Sequence, residues 1–342
     1  MKPPRFWSGG KAGALGSVAQ AAFTPLSRIY EWAGARRIAR TVPVEVPPFV
    51  VCIGNLTLGG TGKTPIAIAA LETFNERKIT AHSVTRGYGG SLTGPVRVDP
   101  DRQTAEDTGD EPRLLARVAP TWISRDRVFG ARQAGVAGAK AIVLDDGYQN
   151  PRLGKDFSIL VVDGEAGWGN GRVFPAGPLR EPVAAGLARA QAVIVMMPDG
   201  ETEPDLRALD LDELEIPVLT AWLEPVSPPP QEKLVAFAGI GRPQKFFDSL
   251  TAAGGQVAET RGFSDHHPYS PRELAELRDL ADGHGASLVT TEKDWVRIPA
   301  EYRTAITAWP VRAAFREPER FKALLLDAMD AAKAEQLEDK TS

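Results

Sequence analysis

The 342-residue chain holds a single cysteine, Cys52. A disulfide framework is therefore excluded, and the composition suits a reducing compartment. Histidine is scarce as well, four in all. Only His266 and His267 are neighbours, with His82 and His284 elsewhere, so the ligand set for zinc is poor. There is no excess of positive charge: 40 Lys and Arg against 44 Asp and Glu give −4, which argues against a general nucleic-acid binder. Long apolar runs are missing too. The longest uncharged stretch near the start, Ala12–Ser27, is only mildly apolar and contains Gln20 and Pro25. That is too little for a membrane-spanning helix, and with no cleavage pattern it makes a poor secretory signal. No internal repeat appears. What remains, 43% hydrophobic and 25% charged, is a globular chain long enough for one large domain or two ordinary ones.

The chain is organised around Val50–Val51–Cys52–Ile53–Gly54 and the turn that follows it, Asn55 to Gly62. A β-branched run stops at glycines, Lys63–Thr64 follows, and Pro65–Ile66–Ala67–Ile68 opens a helix. This is the P-loop arrangement. Thr57, Leu58, Gly59, Gly60, Thr61 and Gly62 would turn backbone N–H groups around a phosphate chain, helped by the helix N-terminus. Lys63 would reach the terminal phosphates of a nucleoside triphosphate and the Thr64 hydroxyl would hold Mg²⁺. Thr57 stands where the pattern has its first glycine. Cys52, in the preceding strand, reads as buried.

Apolar runs alternate with helical patterns from residue 48 onward. Strands are expected at Phe49–Ile53, Ile79–Thr85, Ala141–Leu144, Phe157–Val162 and Ala192–Met196, with helices at Pro65–Phe74 and Pro112–Val118. Such strands imply an α/β fold, a P-loop NTPase-type parallel sheet flanked by helices, with its ligand at the carboxyl ends of the strands. Gly164–Pro182 reads as a long functional loop. The run Ser227–Pro228–Pro229–Pro230 marks a boundary. Beyond it a smaller α/β domain is expected, with strands at Leu234–Ala238 and Ser287–Thr290 and a helix at Pro243–Leu250. The division is thus 1–40, an N-terminal amphipathic helix; 41–227, the P-loop domain; 228–330, the smaller domain; and 331–342, a frayed charged tail. In residues 1–40, Lys2, Arg5, Lys11, Arg28, Arg36, Arg37 and Arg40 face Glu31 alone. With Leu15, Val18, Ala22, Leu26, Ile29 and Trp32 at helical spacing, this start would lie on an anionic bilayer or pack on the protein body.

Several groups offer chemistry. Ala141–Leu144 ends in Asp145–Asp146, the form of a Walker B segment whose acid holds Mg²⁺ directly or through water. Asp110, in Gly109–Asp110–Glu111–Pro112, fits a helix N-cap. Its functional alternative is a general base near the γ-phosphate. A histidine of Phe263–Ser264–Asp265–His266–His267–Pro268–Tyr269 would orient such a carboxylate. Arg125, Arg127 and Arg180 sit after strands, where guanidinium groups neutralise phosphate charge.

Read together, Gly54–Pro65, Arg86–Gly87–Tyr88–Gly89, Gly109–Pro112, Leu144–Asp145–Asp146–Gly147–Tyr148–Gln149, Pro175–Pro182, Phe263–Tyr269 and Thr290–Thr291–Glu292–Lys293–Asp294 resemble, in order, the tetraacyldisaccharide 4′-kinase (lipid A 4′-kinase) family. The resemblance runs from about residue 15 to 315, and that family usually has Ser or Thr where Thr57 stands. It implies ATP-dependent phosphorylation of the 4′-hydroxyl of an acylated glucosamine disaccharide 1-phosphate by a peripheral enzyme at the cytoplasmic face of the inner membrane. On it, Lys63 and Thr64 take the phosphate and Mg²⁺ roles, Asp145 and Asp146 are the metal-side acids, and Asp110 is the base. His266, or its neighbour His267, is paired with that base. Tyr88, Arg125, Gln149, Arg180 and Glu181 line the site, the first three as ATP-binding residues, Arg180 as a catalytic cation and Glu181 beside the metal. No nucleic-acid or obligate protein partner is implied. A partitioning ATPase is disfavoured because Leu58 stands where its lysine would be. A GTPase is disfavoured because Thr291–Glu292–Lys293–Asp294 does not place a lysine where guanine readers need it.

Overall fold

A computed structural model describes residues 4–8 and 13–339. Lys2 and Lys11 of the basic start, and the last three residues of the tail, lie outside this range. Eight strands build the first part of the chain: β1 (Phe49–Gly54), β2 (Ala81–Thr85), β3 (Val96–Arg97), β4 (Thr121–Ile123), β5 (Ala141–Asp145), β6 (Phe157–Asp163), β7 (Ala192–Met196) and β8 (Val218–Pro225). The smaller unit holds β9 (Lys233–Ala238), β10 (Gln256–Gly262), β11 (Ser287–Thr291) and β12 (Ile306–Trp309), and β13 (Val311–Phe315) follows. The large sheet runs β13-β8-β7-β6-β1-β5-β2-β4-β3 and the small one β10-β9-β11-β12. Among the strands of the described residues, only the two edge pairs, β13 with β8 and β3 with β4, are antiparallel. The architecture is the expected α/β sheet.

Both faces of the large sheet are covered, which is why its central strands are apolar throughout. Val50 and Cys52 of β1 enter one core, and Phe49, Val51 and Ile53 the other. Cys52 is fully buried and burial pushes its thiol up to about 11, so it is an inert packing residue.

The chain does not divide at 228 into consecutive units. After β12 it crosses back: β13 pairs with β8, and the helix Pro318–Asp339 lays Phe321, Leu325 and Met329 into the core beside β1 and the helix Lys63–Glu76. The smaller unit is therefore an insertion at the edge of the large sheet, and helix continues through residues 331–339. The P-loop helix runs Lys63–Glu76, and the second expected helix begins earlier and ends sooner, at Asp110–Leu115.

The N-terminal helix spans Ala14–Arg40 without interruption at Pro25. Its amphipathic design differs from expectation. Gln20, Thr24, Ser27, Gly34 and Ile38 face the body, where Ser27 Oγ accepts from Ala176 N at 3.0 Å and Gln20 Nε2 donates to Phe6 O at 2.9 Å. Val18, Leu26, Ile29 and Trp32 point outward, 53–68% exposed, among Arg28, Glu31 and Arg36. A small, polar stripe faces the body, Phe23 stacks on Phe6 and Tyr30 packs edge-on against Phe174, while Val18, Leu26, Ile29 and Trp32 are left outward.

Candidate active site

Two units meet across a cleft of about 3180 Å³, well above the roughly 300–1,000 Å³ of a small-molecule pocket. Ion pairs tie the far wall, Arg242 to Asp163 and Lys245 to Glu165.

On the large unit, β1 delivers the chain into the loop Asn55–Gly62. Gly59 and Gly62 have φ of +128° and +85°, which L side chains rarely adopt. Asn55 organises the turn: Nδ2 donates to Thr57 O at 2.8 Å and Oδ1 accepts from Lys63 Nζ at 3.1 Å. The loop is also tied to the segment before Glu181, since Leu58 N donates to Pro178 O (2.8 Å) and Arg180 N to Leu56 O (2.7 Å). Gly60 lines the cleft, and the Thr61 hydroxyl is buried with no hydrogen-bond partner among the described residues.

Behind the loop, Thr64 Oγ1 donates to Asp145 Oδ2 at 2.9 Å. Asp145 is 1% exposed, and its Oδ1 is buried with no hydrogen-bond partner among the described residues. Burial raises this carboxyl well above the usual range, with Glu111 adding to the effect and Lys63 opposing it. An orphaned carboxylate oxygen beside a hydroxyl suits a hard cation, and Mg²⁺ takes only one or two protein carboxylates and keeps its waters. Asp146, at φ +57°, turns the other way. It meets Arg180 Nη1 at 3.1 Å and Lys63 Nζ at 3.8 Å, and these cations outweigh burial to lower its carboxyl.

Glu181 does not join this group. It is held by Arg189, whose guanidinium lies 4.7 Å over the Tyr148 ring, and by Gln149 Nε2 at 3.2 Å. Gln149 also donates to Asn55 O (2.9 Å) and accepts from Arg180 Nη1 (3.3 Å), so it braces the loop. Arg125 is exposed on the cleft wall, while Arg127 is buried and opens the helix Arg127–Val136.

Asp110 is not a helix cap. Gly109, at φ +83°, occupies that position, and Asp110 is the first helical residue with no capping bond. A Cβ at Gly109 would come within 2.3 Å of Tyr88 O. The Asp110 carboxylate, 3% exposed, reaches the smaller unit instead. His266 Nδ1 lies 3.2 Å from its Oδ2, Arg297 Nε donates to the same oxygen at 3.1 Å, and Lys293 Nζ is 3.8 Å away. Burial works to raise this carboxyl, but the His266 hydrogen bond and the Lys293 and Arg297 charges hold it well below the usual range. His267 is spoken for elsewhere, with Nε2 2.9 Å from Glu273 Oε1. Tyr88 packs edge-on against His266, ring centroids 6.0 Å apart. Arg297 escaped the sequence reading; its only local signal is its place three residues beyond Asp294 of a noted motif.

Comparison with known proteins places this geometry in context. A sequence model of the tetraacyldisaccharide-1-P 4′-kinase family matches residues 19–330. The chain is 55% identical to the tetraacyldisaccharide 4′-kinase of Maricaulis maris over 332 residues, 97% of each chain. It is 50% identical to that of Caulobacter vibrioides strain NA1000 / CB15N over 327 residues, covering 94% and 97%. The fold is shared with a crystal structure of "apo" form LpxK from Aquifex aeolicus in complex with ATP. The TM-score is 0.71 at 23% identity, over 91% of this chain and 99% of that one.

Proposed function

The chain belongs to the tetraacyldisaccharide 4′-kinase family, and on that premise we propose how its residues divide the work. The reaction is that of lipid A biosynthesis: the γ-phosphate of ATP passes to the 4′-hydroxyl of tetraacyldisaccharide 1-phosphate. The backbone from Leu58 to Gly62 cradles the phosphates. Lys63 exchanges its Asn55 partner, 3.1 Å away, for the terminal phosphates. Thr64 Oγ1 and the orphaned Asp145 Oδ1 would hold Mg²⁺, which when bound would neutralise phosphate charge. Arg180, fixed by Asp146 and Gln149, stabilises charge on the transferring group. Tyr88 and Arg125 bound the acceptor side, and Glu181 steadies Arg189.

The acceptor oxygen bonds to the γ-phosphorus as the bridging P–O bond breaks. The electron pair leaves with ADP, and the hydroxyl proton passes to Asp110, oriented by His266. The observation that carries this reading is the 3.2 Å approach of His266 to Asp110 across one cleft with the Thr64–Asp145 pair. Incubation with γ-labelled ATP and the disaccharide 1-phosphate tests it: label at the 4′-position is expected, and label confined to free phosphate would refute it.

The protein works as a peripheral enzyme on the anionic cytoplasmic face of the inner membrane. No helix among the described residues is long and apolar enough to cross a membrane. The outward Val18, Leu26, Ile29 and Trp32, ending in Arg36 and Arg40, support shallow insertion aided by basic attraction.

A further inference from the structure

Arg297 lies at the centre of the contact between units, yet it touches neither the P-loop nor the Thr64–Asp145 pair. Its side chain is 6% exposed. One edge of the guanidinium, Nε and Nη2, grips Asp110 Oδ2; on the other side Nη1 donates to Gly239 O at 2.7 Å and Asp294 Oδ1 at 2.9 Å. Asp294 is fully buried and fixed in turn by Gly239 N (2.9 Å), the Tyr269 hydroxyl (2.8 Å) and Thr291 Oγ1 (2.6 Å). The fork therefore has no rotational freedom. Asp294 alone would satisfy a brace inside the smaller unit, but the second edge reaches into the large unit.

We propose that Arg297 is a positioning residue for phosphoryl transfer, fixing which oxygen of Asp110 meets the acceptor hydroxyl and keeping that buried carboxylate ionised when the units are closed. The proposal rests on the reading of Asp110 as the base. Arg297, His266 Nδ1 at 3.2 Å and Lys293 Nζ at 3.8 Å all crowd Oδ2. Oδ1 receives no hydrogen bond from the described residues and is the oxygen left for substrate. A carboxyl buried this deeply would otherwise take up a proton and be unable to accept another. Two further carboxylates sit one contact away, Glu111 at 3.2 Å from Lys293 Nζ and Asp265 at 3.9 Å from His266 Nε2. The guanidinium also weakens the base. A loose transition state tolerates this, since the acceptor proton need leave only as the new bond forms.

The test uses the full chain and three variants, Arg297→Gln, Arg297→Lys and Asp110→Asn, with kcat/KM for the lipid acceptor followed across the acid range and ATP affinity measured beside it. Arg297→Gln should lose on the order of 10²-fold in kcat through misplacement of the carboxylate. Its acid limb should move up by about 1–3 pH units as the opposite charge is lost, with ATP affinity unchanged. Arg297→Lys should keep the limb near its original position but recover only part of the rate, because an ammonium lacks the planar edge whose two fixed donors converge on Oδ2. A rate loss in Arg297→Gln with an unmoved limb makes Arg297 a structural brace and overturns the proposal, as does a rate near wild type. If Arg297→Gln does not fold, the lysine variant decides: a fall of about tenfold or more at constant ATP affinity supports the proposal, and full activity defeats it. An active Asp110→Asn sinks the base reading itself. An inactive Asp110→Asn beside an unaffected Arg297→Gln removes the present proposal alone.

Discussion

Replacing Asp110 by Asn keeps the shape of a buried side chain while removing the charge and the basic oxygen. General-base catalysis contributes typically about 10²–10⁴-fold, or roughly 3–5 kcal/mol of transition-state stabilisation, so kcat should fall by that factor. ATP affinity should hold, because the phosphate loop and the Thr64–Asp145 pair belong to different elements. His266→Ala removes the 3.2 Å contact to Oδ2. A charge-assisted hydrogen bond contributes about 1.5–3 kcal/mol, so a loss of ten- to a hundredfold is expected from that change alone. The two residues touch, so their effects should not multiply: the double variant should match Asp110→Asn within a few-fold. The assay is single-turnover transfer from γ-labelled ATP to the lipid, with chemistry separated from product release. Losses that multiply would mean independent roles, and near-normal kcat in Asp110→Asn would show the acceptor proton leaving by another route. Stability should respond to pH through the same carboxyl. Its folded-state value lies below the unfolded one, so its contribution is full above the unfolded value and is lost as pH falls through the folded one. Asp110→Asn should therefore flatten the acid side of a denaturation profile.

Lys63→Ala should lower turnover by on the order of 10²-fold or more by removing a cation from the transferring phosphates; steady-state kinetics check it. Thr64→Val removes the hydroxyl 2.9 Å from Asp145 and should raise the Mg²⁺ concentration needed for half-maximal rate, which a metal titration reads. Leu325→Ala, at a fully buried position of the last helix, should destabilise the large unit by about 2–5 kcal/mol, measured by denaturant titration. Leu26→Glu with Ile29→Glu should release the protein from anionic vesicles without changing its melting temperature, since both side chains are exposed. Each apolar side chain contributes at most about 1.5–3 kcal/mol of insertion, and unchanged sedimentation would place the membrane contact elsewhere.

The parts of the fold visible in the sequence are those whose information is local. β1, β5, β6 and β7 are continuous apolar runs because both faces of a parallel sheet are covered, and each was placed to within about a residue of its bounds. The phosphate loop is fixed by glycine spacing, since few residues adopt the backbone of Gly59 and Gly62. The edge strands were not legible: β3 and β4 have two and three residues, and β8 and β13 are partly exposed.

Tertiary structure alone decided the rest. Nothing local says that the chain leaves the smaller unit at β13 and returns to pair with β8, because that pairing depends on an open sheet edge formed some 90 residues earlier. The proline run at 228–230 lies in the link between β8 and β9, and its local signal says nothing of an insertion. Histidines 266 and 267 are equivalent by composition, and only the backbone at φ +57° aims the first at Asp110 and leaves the second to Glu273. Glu181 carries the right chemistry for a metal ligand, but an arginine eight residues on takes it up. Arg297 meets Asp110 across 187 residues. A carboxylate in the sequence is the same whether it caps a helix, holds a metal or accepts a proton, and the cations that the fold brings to it select among those roles.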